Sequence, residues 1–449
     1  MEGFAEKNDM ILLFDYYNIY SADLYNSFRA AGYDCPAVVI EDDGFLSDGL
    51  MSVYGFFLGD FAKSRSNPGR PRYFNEITVP EFWEISGTNR SGKVQDLYKE
   101  RGRIFYAEPA HKRLVKTVDW LDERGVVRSS DHYNRYGALY ARTIFNAKGQ
   151  KVNKSYFSPE GQEVIVENFV TGDIILNEGE AVRFFKTKAD FVIHFLAAAG
   201  FWQSRLFFNS LSTPFFVSQR MTAPVKRDVL FWQEPVGDSI PGNMQMILNG
   251  EGTRTEQIMV QMQHSYDRLV ELGADRTKVH KLGFIYAFER QNQHKPKALI
   301  CTNSDRIEHC KELVSALPQV QFHIAALTEM SSKLMGMDDY SNVSLYPGVK
   351  MEVLEELFDE CDFYLDVNHE SEIVSAVRKA FLHNQLILAF KETMHNKDYV
   401  SEGHIYGAAE YQRMIEDLKR FAENGWDLEK ALTDQREAAL SENPEKYVF

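Results

Sequence analysis

Short apolar runs alternate with helix-like spacing at both ends of the chain. Near the amino end, residues 10–14 form an apolar run that predicts a strand, and the spacing of Leu24, Phe28 and Ala31 predicts a helix. Toward the carboxyl end, apolar runs predict strands at residues 298–302, 321–325, 343–346, 363–367 and 386–390. Strands that alternate with helices are typical of a parallel sheet covered by helices. We therefore expect an α/β protein with two Rossmann-like domains.

The middle of the chain has a different pattern, with turn signals at intervals of roughly 10–20 residues. Glycine-containing turns, for example at 147–149 and 158–161, separate short runs rich in Val, Ile, Tyr, Phe and Thr. These runs predict strands at residues 112–120, 126–133, 139–145, 154–157, 163–169 and 173–176. Closely spaced turns of this kind are typical of an antiparallel meander. We expect an extended antiparallel β-sheet domain inserted into the first Rossmann-like domain.

After residue 186 the α/β pattern returns, and a polar tract at 289–297 is the best candidate for an interdomain linker. The pattern predicts a helix at 191–199, strands at 205–209, 229–232 and 257–260, and an extended segment at 282–286. The expected domains are the first Rossmann-like domain (1–45 and 187–290), the inserted sheet (46–186), the second Rossmann-like domain (291–407) and a helical segment packing back across the domains (408–449).

The overall charge argues against nucleic acid as a partner. The 449 residues carry 50 Lys and Arg against 65 Asp and Glu, and the net charge of −15 is spread along the chain. Such a surface repels phosphate backbones. The cysteines lack metal-ligand spacing and are expected to be reduced thiols: Cys35, Cys301, Cys310 and Cys361. Because no apolar run reaches about 18 residues and the chain starts with a charged, polar segment, we expect a cytoplasmic protein.

Several long phrases of the sequence carry a family resemblance. They are FYAEPAHKRLVKTVDWLDERG (105–125), SDHYNRYG (130–137), ENFVTGDIILN (167–177), NSLSTPFFVS (209–218), RDVLFWQEPVGDSIPGNMQ (227–245), CTNSD (301–305), FHIAALTEMSSKLMGM (322–337) and NVSLYP (342–347). With these phrases the chain resembles the glycosyltransferase-stabilising subunit, the B-type partner, of the bacterial accessory-Sec adhesin glycosylation system. The resemblance covers essentially the whole length.

The resemblance implies two Rossmann domains in the GT-B arrangement with an inserted β-sheet domain. It also implies a cytosolic complex with a homologous catalytic subunit, for which a heterotetramer of two plus two is expected. That pair attaches N-acetylglucosamine to Ser and Thr of a serine-rich repeat adhesin before export. The B-type subunit is the non-catalytic member, which stabilises its partner and binds the acceptor polypeptide. No cofactor or metal is expected, and peripheral association with the inner face of the cell membrane stays open.

The residues at the expected nucleotide-sugar site argue against catalysis by this chain. Sugar transfer requires the diphosphate leaving group to be neutralised as negative charge develops on it. Related metal-independent enzymes use an Arg/Lys pair after the first strand of the second Rossmann domain. At that position this sequence has the acidic Asp305, with Arg306 and Lys311 as imperfect substitutes.

A pair of glutamates that would hold the sugar and the ribose is also missing. In related enzymes the two glutamates stand eight positions apart, but here Glu370 is followed by Arg378, and Glu372 by Ala380. Arg378 and Lys379 are predicted on the helix where carboxylates would face the ribose hydroxyls. Both donor-binding features are therefore degraded, which favours a subunit that has lost donor chemistry.

Polar residues that follow predicted strands are candidates for acceptor binding, because open α/β sheets bind ligands beyond the carboxyl ends of their strands. The candidates are Trp232, Gln233, Glu234, Asn303, Ser304, Asp305, His369 and Glu370. Trp232 would stack on a sugar, but a place in the core explains it equally well. His369 and Glu370 are explained equally well by a polar helix start, where Ser371 or Glu372 satisfies free backbone amides.

Five residues along one predicted strand of the inserted sheet are candidates for docking the catalytic partner. They are Lys112, Arg113, Lys116, Asp119 and Trp120. A solvated face is the default interpretation of such a pattern. A sheet of this kind is also a natural docking surface for another protein.

Three functions from different classes stay open on the sequence alone. The first is the non-catalytic stabilising and acceptor-binding subunit. The second is an active retaining glycosyltransferase with a non-standard donor site. The third is an adaptor or chaperone that holds the unfolded adhesin without assisting the chemistry.

Overall fold

The computed structural model describes residues 10–63, 69–179, 181–222, 227–251 and 253–449. The polar first nine residues, on which the expected cytoplasmic location partly depends, lie outside these ranges. The chain forms two compact units. Unit 1 contains residues up to 259 together with 272–280, and unit 2 contains 260–271 and 281–449.

Unit 1 contains the first parallel sheet and the antiparallel meander. Its strands are β1 Met10–Tyr16, β2 Ala37–Glu41, β3 Leu50–Ser52, β4 Glu84–Gly87, β5 Ser91–Asp96, β6 Lys99–Tyr106, β7 Val115–Leu121, β8 Val127–Tyr133, β9 Leu139–Phe145, β10 Lys151–Phe157, β11 Glu163–Asn168, β12 Ile174–Glu178, β13 Ala181–Phe185, β14 Arg205–Phe208, β15 Asp228–Trp232, β16 Thr255–Val260 and β17 Val279–Lys281. Its helices are α1 Ile19–Ala30, α2 Val53–Leu58, α3 Lys188–Ala198, α4 Thr213–Arg220 and α5 Gly242–Asn249.

The first sheet has the order β17-β16-β15-β14-β1-β2-β3. Its neighbouring strands β15, β14, β1, β2 and β3 are parallel to one another. The interior strand β1 begins with the buried apolar run 10–14, as expected where helices cover both faces of a parallel sheet. Asn18 begins α1 by accepting a hydrogen bond from the backbone N–H of Ser21 at 3.0 Å. The chain therefore turns sharply at the carboxyl end of β1, where the pocket described below lies.

Strands β4 to β13 form one ten-stranded sheet in which neighbours in sequence are also neighbours in space. Every adjacent pair is antiparallel, as the turn spacing predicts. The prediction missed β4, β5, β6 and β13. In β5, Gly92 and Val94 alone are buried, and β13 is exposed along most of its length, so neither strand has the apolar alternation of a half-buried strand.

Unit 2 contains the second parallel sheet, whose strands are β18 Lys297–Thr302, β19 Gln321–Ala326, β20 Val343–Tyr346, β21 Phe363–Asp366, β22 Leu386–Phe390 and β23 Ile405–Tyr406. Its order is β20-β19-β18-β21-β22-β23, with every strand parallel. The helices are α6 Gln263–Glu271, α7 Cys310–Ala316, α8 Ser332–Met335, α9 Met351–Glu360, α10 Ala376–Leu382, α11 Tyr411–Glu423 and α12 Gly425–Ala438. Two parallel sheets and an inserted antiparallel sheet confirm the expected fold class.

Residues 281–290, which the sequence division assigns to the first Rossmann-like domain, group with unit 2. The reason is local. Arg290 pairs with the buried carboxylate of Asp362 at 2.7 Å, and Asn292 donates to the carbonyls of Asp362 and Asn384. The polar tract proposed as a linker is thus anchored to β21. The finer three-domain division stays a prediction.

The extended segment predicted at 282–286 forms an isolated bridge from Phe284 to Ser441 instead of a full strand. At Gly283, an added Cβ would lie 1.7 Å from the backbone oxygen of Leu440. No side chain fits there without moving the backbone that follows α12. The segment therefore depends on glycine for its close approach.

We expect Gly283→Ala to lower the free energy of unfolding by about 1–3 kcal/mol or more, because the methyl group overpacks a backbone contact. Gly336→Ala in the same unit is the matched control, since nothing lies within 4 Å of an added Cβ there. Urea unfolding of both variants measures the difference. Equal stability of the two variants would contradict the close-approach argument.

Candidate functional site

A pocket of about 490 Å³ lies at the carboxyl edge of the first sheet in unit 1. Its lining comes from the ends of β1, β2, β14 and β15 and from the start of α3, and it includes Asp15, Tyr16, Glu41, Lys188, Asn209 and Gln233. This is the edge at which open α/β sheets bind ligands. Its volume lies within the ~300–1,000 Å³ of small-molecule sites.

The three candidates at the carboxyl end of β15 have different environments. Trp232 is 4% exposed, which favours its interpretation as a core residue and leaves no ring face for stacking. Gln233 is buried, and its side chain accepts from Asn209 at 3.1 Å and donates to the carbonyl of Tyr20 at 3.1 Å. Glu234 is exposed and lines the pocket. Gln233 thus holds the pocket floor, whereas Glu234 is accessible to a ligand.

Asp15 and Asn209 form the floor of the pocket, and our sequence reasoning did not select them. Asn209 accepts from the backbone N–H of Asp15 at 3.3 Å and donates to Ser21 at 3.0 Å. The carboxylate of Asp15 accepts from Ser210 at 3.1 Å. Burial raises the pKa of Asp15, and the Ser210 hydrogen bond partly opposes that rise. Asp15 directly follows the predicted apolar run at 10–14, and Asn209 is the polar residue that ends the predicted strand at 205–209, so the rule that selected Gln233 could have found them.

An ion-pair cluster adjoins this floor at the start of α3. Lys188 pairs with Glu41 at the end of β2 and with Glu167 of the meander, the latter at 2.8 Å. Tyr54 donates a hydrogen bond to Glu167 at 3.3 Å. Burial lowers the pKa of Lys188, but the two carboxylates outweigh burial and raise it overall. Lys188 is therefore a fixed cation in the pocket wall.

The candidates of unit 2 lie on loops that follow β18 and β21. Asn303, Ser304 and Asp305 line a second, smaller pocket of about 200 Å³. Asp305 accepts a hydrogen bond from Ser331, the cap of α8, at 2.9 Å. The acidic residue that replaces a basic one in the sequence is thus held by the neighbouring loop.

Asn368 joins the two loops. Its side-chain oxygen accepts from Thr302 at 2.7 Å, and its amide donates to the carbonyl of Glu370 at 3.1 Å and to Asn303 at 3.5 Å. The structure therefore brings Asn303 and Ser304 together with the loop that carries His369 and Glu370. Asn368 itself was missed, although it directly follows a predicted strand.

The charged side chains of these two loops pair with one another. Arg306 and Glu370 form an ion pair at 3.2 Å, and His369 contacts Glu308. Glu308 also lies 3.2 Å from the ring of His309. The one arginine that could have substituted for a diphosphate-binding residue therefore faces a carboxylate of its own chain.

His395 contacts both ends of the loop after β21. Its ring lies 2.5 Å from the carboxylate of Asp366 and 2.5 Å from the carbonyl of Glu370. The backbone N–H of His395 also donates to Asp366 at 2.7 Å. The hydrogen bond to Asp366 raises the pKa of His395 to about 9, so the ring is cationic at neutral pH.

We expect His395→Gln to destabilise the protein most at acidic to neutral pH. The pKa of His395 in the folded chain is about 9 against an ordinary value of 6.5, so its stabilising effect is fully present below about pH 6.5. The effect is lost as the pH rises through about 9. Unfolding free energies of wild type and variant across this range measure the loss. A stability difference between wild type and variant that grows with pH would contradict the assignment. His264→Gln is the control, because the ring of His264 lies 3.9 Å from the carboxylate of Asp398.

Two predictions concern α10 and the residues just before it: that Glu372 caps the helix and that Lys379 lies on it near the sugar site. The carboxylate of Glu372 accepts from the backbone N–H of Val377 at 2.8 Å, which confirms the capping interpretation for that residue. Lys379 pairs with Glu355 of α9 and lies 5.6 Å from the ring centroid of Phe358. The ammonium group of Lys379 is thus held by side chains of α9.

The docking candidates in the meander lie where the strand was predicted, but β7 begins only at Val115. Lys112 belongs to a short 3-10 turn that ends at Arg113, whose φ of 53° breaks the strand. Lys112 is exposed, and Arg113 donates to Asn89 at 2.7 Å. These two residues extend the charged surface beyond the strand.

The other three docking candidates make contacts within unit 1. Lys116 pairs with Asp43 at 2.5 Å, and Asp119 accepts from Ser130. The indole N–H of Trp120 donates to the buried Asp131 at 2.9 Å. All three are half-buried, so they stabilise the sheet whether or not they also contact a partner.

Within the described ranges, no group of three or more His, Cys, Asp or Glu is placed to hold a metal ion. All four cysteines are buried and unpaired. None of the helices in the described residues is both long and apolar enough to cross a membrane.

Four family models match consecutive parts of the chain. They describe a GtfB N-terminal domain (11–57), a GtfB middle domain (83–186), a GtfB third domain (188–272) and a GftB/GlyA-F C-terminal domain (298–435). The second of these spans the ten-stranded sheet. The matches therefore follow the order of the observed sheets.

Known proteins resemble the chain over nearly its full length. The UDP-N-acetylglucosamine–peptide N-acetylglucosaminyltransferase stabilizing protein GtfB of Streptococcus gordonii is 45% identical over 404 residues, 89% of each chain. A chain in the crystal structure of a GtfA/B complex bound to UDP and GlcNAc is 43% identical, with a TM-score of 0.92 and 98% of each chain covered. TarM shares the fold alone, at 12% identity and a TM-score of 0.50 over 100% of this chain and 97% of TarM. The chain belongs to the GtfB family of glycosyltransferase-stabilising proteins.

Proposed function

We propose that this protein is the non-catalytic stabilising and acceptor-binding subunit of a protein O-GlcNAc transferase complex. Its relatives are named as stabilising proteins of a UDP-N-acetylglucosamine–peptide N-acetylglucosaminyltransferase, and one solved relative is part of a GtfA/B complex bound to UDP and GlcNAc. The partner is a homologous catalytic subunit, in a heterotetramer of two plus two. The acceptor is a serine-rich repeat adhesin polypeptide.

The observation that carries the non-catalytic part is the internal pairing of charges after β18 and β21. A donor diphosphate needs cationic groups that are available to neutralise it. Here Arg306 pairs with Glu370 and the cationic His395 with Asp366. The acidic Asp305 stands beside them, held by Ser331. A diphosphate would meet carboxylates and already paired cations.

Acceptor binding is supported by the two strand-end sites. Glu234 lines the pocket of unit 1, and Asn303, Ser304 and Asp305 line that of unit 2, beside His369 and Glu370. These pockets are rich in hydrogen-bonding side chains, which suits the backbone and hydroxyl groups of a serine-rich chain. The partner docks on the meander near Lys112 and Arg113. We place the complex in the cytoplasm, with peripheral contact at the inner face of the cell membrane.

The test is nucleotide-sugar turnover with purified subunits. The isolated chain should neither hydrolyse UDP-N-acetylglucosamine nor transfer its sugar to a serine-rich peptide. Transfer should appear when the catalytic subunit is present, and this chain should raise the thermal stability of that subunit. Turnover by the isolated chain that is lost in Glu370→Ala would establish an active enzyme instead. A catalytic subunit that is equally stable and active alone would refute the stabilising role.

A further inference from the structure

Another pocket of unit 1, which we call the loop pocket, lies where the loop after β2 meets the turn between β8 and β9. It has a volume of about 320 Å³ and shares no lining residue with the pocket at the carboxyl edge of the first sheet. Much of its wall is formed by leucine side chains and aromatic rings. These are Leu46, Leu50, Leu58, Phe61, Tyr136 and Tyr140. The proposed function uses none of these side chains.

The two walls of the loop pocket are joined by hydrogen bonds. The backbone N–H of Arg135 donates to the carbonyl of Gly44 at 2.8 Å, and its side chain donates to the carbonyl of Leu46 at 2.9 Å. The hydroxyl of Tyr140 donates to the carbonyl of Asp42 at 3.2 Å. At Gly44, where φ is 85°, an added Cβ would lie 2.8 Å from the ring of Tyr140. The pocket is therefore preformed, which lowers the entropic cost of binding a ligand.

Asp42 provides a carboxylate that has no ion-pair partner within the described ranges. Its Oδ1 atom accepts a hydrogen bond from the backbone N–H of Gly44 at 2.7 Å. A Cβ added at Gly55 would lie 3.9 Å from its Oδ2 atom, so the glycine at this position of α2 leaves that oxygen uncovered. Burial raises the pKa of Asp42, as expected for a carboxylate without a compensating charge. A cation in the pocket would stabilise the charged form.

The other charged groups of the lining already have partners. Arg135 pairs with Asp48 at 2.9 Å. Asp60 pairs with Lys63 at 2.9 Å. Asp42 is therefore the group that determines which charge a ligand must carry.

The wall and the charge together select one class of ligand. A carboxylate without a counter-ion repels anions. A metal ion is not favoured, because no group of three or more His, Cys, Asp or Glu in the described ranges is placed to hold one. Aromatic rings attract organic cations, and apolar side chains cover the alkyl stem of such a cation. An alkylammonium group fits the charge, the wall and the volume of about 320 Å³.

We propose that the loop pocket binds an alkylammonium group, whose charged end contacts the carboxylate of Asp42 and whose alkyl stem packs against Phe61 and the leucines. A free diamine and a lysine side chain of another protein carry the same group. The site is separate from acceptor binding and does not depend on the proposed function. Because the ligand contacts both the loop after β2 and the meander, its binding should also raise the thermal stability of the chain.

The test is calorimetric titration of the full chain with cadaverine, with Nα-acetyl-lysine N-methylamide and with Nα-acetyl-norleucine N-methylamide, which has the lysine stem without its charge. The two amines should bind at least about tenfold more tightly than the norleucine derivative. Thermal unfolding of the chain with and without each probe is the second measurement, and only the amines should raise the unfolding temperature.

Three variants locate the binding site. Asp42→Asn should weaken binding of both amines about tenfold or more, while its side-chain oxygen still accepts from Gly44. Asp43→Asn is the matched control, because the neighbouring carboxylate is exposed and pairs with Lys116. Phe61→Leu should weaken binding a few-fold through loss of the ring, and it keeps the test valid if Asp42→Asn does not fold.

The outcomes decide between the sources of the ligand and the fate of the proposal. Binding of cadaverine alone supports a free diamine, and binding of the lysine derivative supports a side chain. Binding of neither amine overturns the proposal, and so does equal affinity for the lysine and norleucine derivatives. A preference for amines that is undiminished in Asp42→Asn and Phe61→Leu overturns the placement in this pocket. Sugar transfer and stabilisation of the catalytic subunit are measured separately, so failure here leaves the proposed function intact.

Discussion

A chain that lacks residues 84–185 is expected to form no complex with the catalytic glycosyltransferase subunit. These residues contain β4 to β13, the entire ten-stranded sheet, and with it the docking candidates around Lys112. A sheet with open edges and a charged, half-exposed strand provides both backbone and side-chain groups to a partner. Size-exclusion chromatography of the mixed subunits measures the loss. Co-elution of the shortened chain with the partner would refute docking through the sheet.

The structure changes how this deletion must be made. The strands predicted from the sequence begin only at residue 112, but a deletion that starts there would leave β4, β5 and β6 without the rest of their sheet. The deletion also uncovers Tyr54, whose ring stacks on Tyr156 of the sheet at 4.4 Å. A full-length variant is therefore needed as a second arm, so that loss of pairing is not confused with loss of folding.

Lys112→Glu in the full-length chain provides that arm. Lys112 is exposed on a short turn before β7, so reversing its charge leaves the sheet intact. If this surface meets the partner at its rim, the variant should associate more slowly and with an altered salt dependence. Lys311→Glu on α7 makes the same charge change in unit 2 and should have no such effect. Identical association rates for the two variants would exclude Lys112 from the interface.

Most of the fold could be predicted because buried parallel strands have a strong signal. Residues 10–14 of β1 and the whole of β22 are buried apolar runs, as expected for parallel strands whose two faces are covered. The missed strands β5 and β13 are stabilised by neighbours in the sheet, and their own sequences contain few buried positions. In the meander, turn residues predicted the strands better than apolar residues did. A strand that is held in place by its neighbours needs few apolar residues of its own, so its sequence predicts it poorly.

The candidate sites could be predicted only in part, for a related reason. Gln233 was found because it directly follows an apolar strand. His395 was missed because its partner Asp366 lies 29 positions away, and Lys188 because it pairs with Glu41 across 147 positions. Such pairs exist only after the sheets have formed. Sequence reasoning thus located the edge of each sheet that carries polar residues, but not which charges neutralise one another there.

The second large effect is expected from Asp362→Ala in unit 2. The carboxylate of Asp362 is fully buried, pairs with Arg290 at 2.7 Å, and accepts from the backbone N–H groups of Gln293 at 3.1 Å and Lys295 at 2.6 Å. Its removal leaves the two amides without their acceptor and the Arg290 guanidinium without its counter-ion, with only the backbone carbonyls to which it already donates. Breaking a buried ion pair in this way costs about 3–5 kcal/mol of unfolding free energy. Urea unfolding of the variant and the wild type measures it.

Asp359→Ala is the matched control, because that carboxylate is largely exposed, although the His383 ring that it contacts at 3.1 Å is buried. A contact made by an exposed carboxylate contributes about 0–1 kcal/mol. A loss below about 1 kcal/mol in Asp362→Ala would show that the carbonyls to which Arg290 already donates, such as that of Cys361, are sufficient for the guanidinium. The result bears on function as well as stability, because Asp362 directly precedes β21. Asp362 anchors the polar tract at the start of β21. The other end of β21 leads to Asn368, which lies between the two candidate loops.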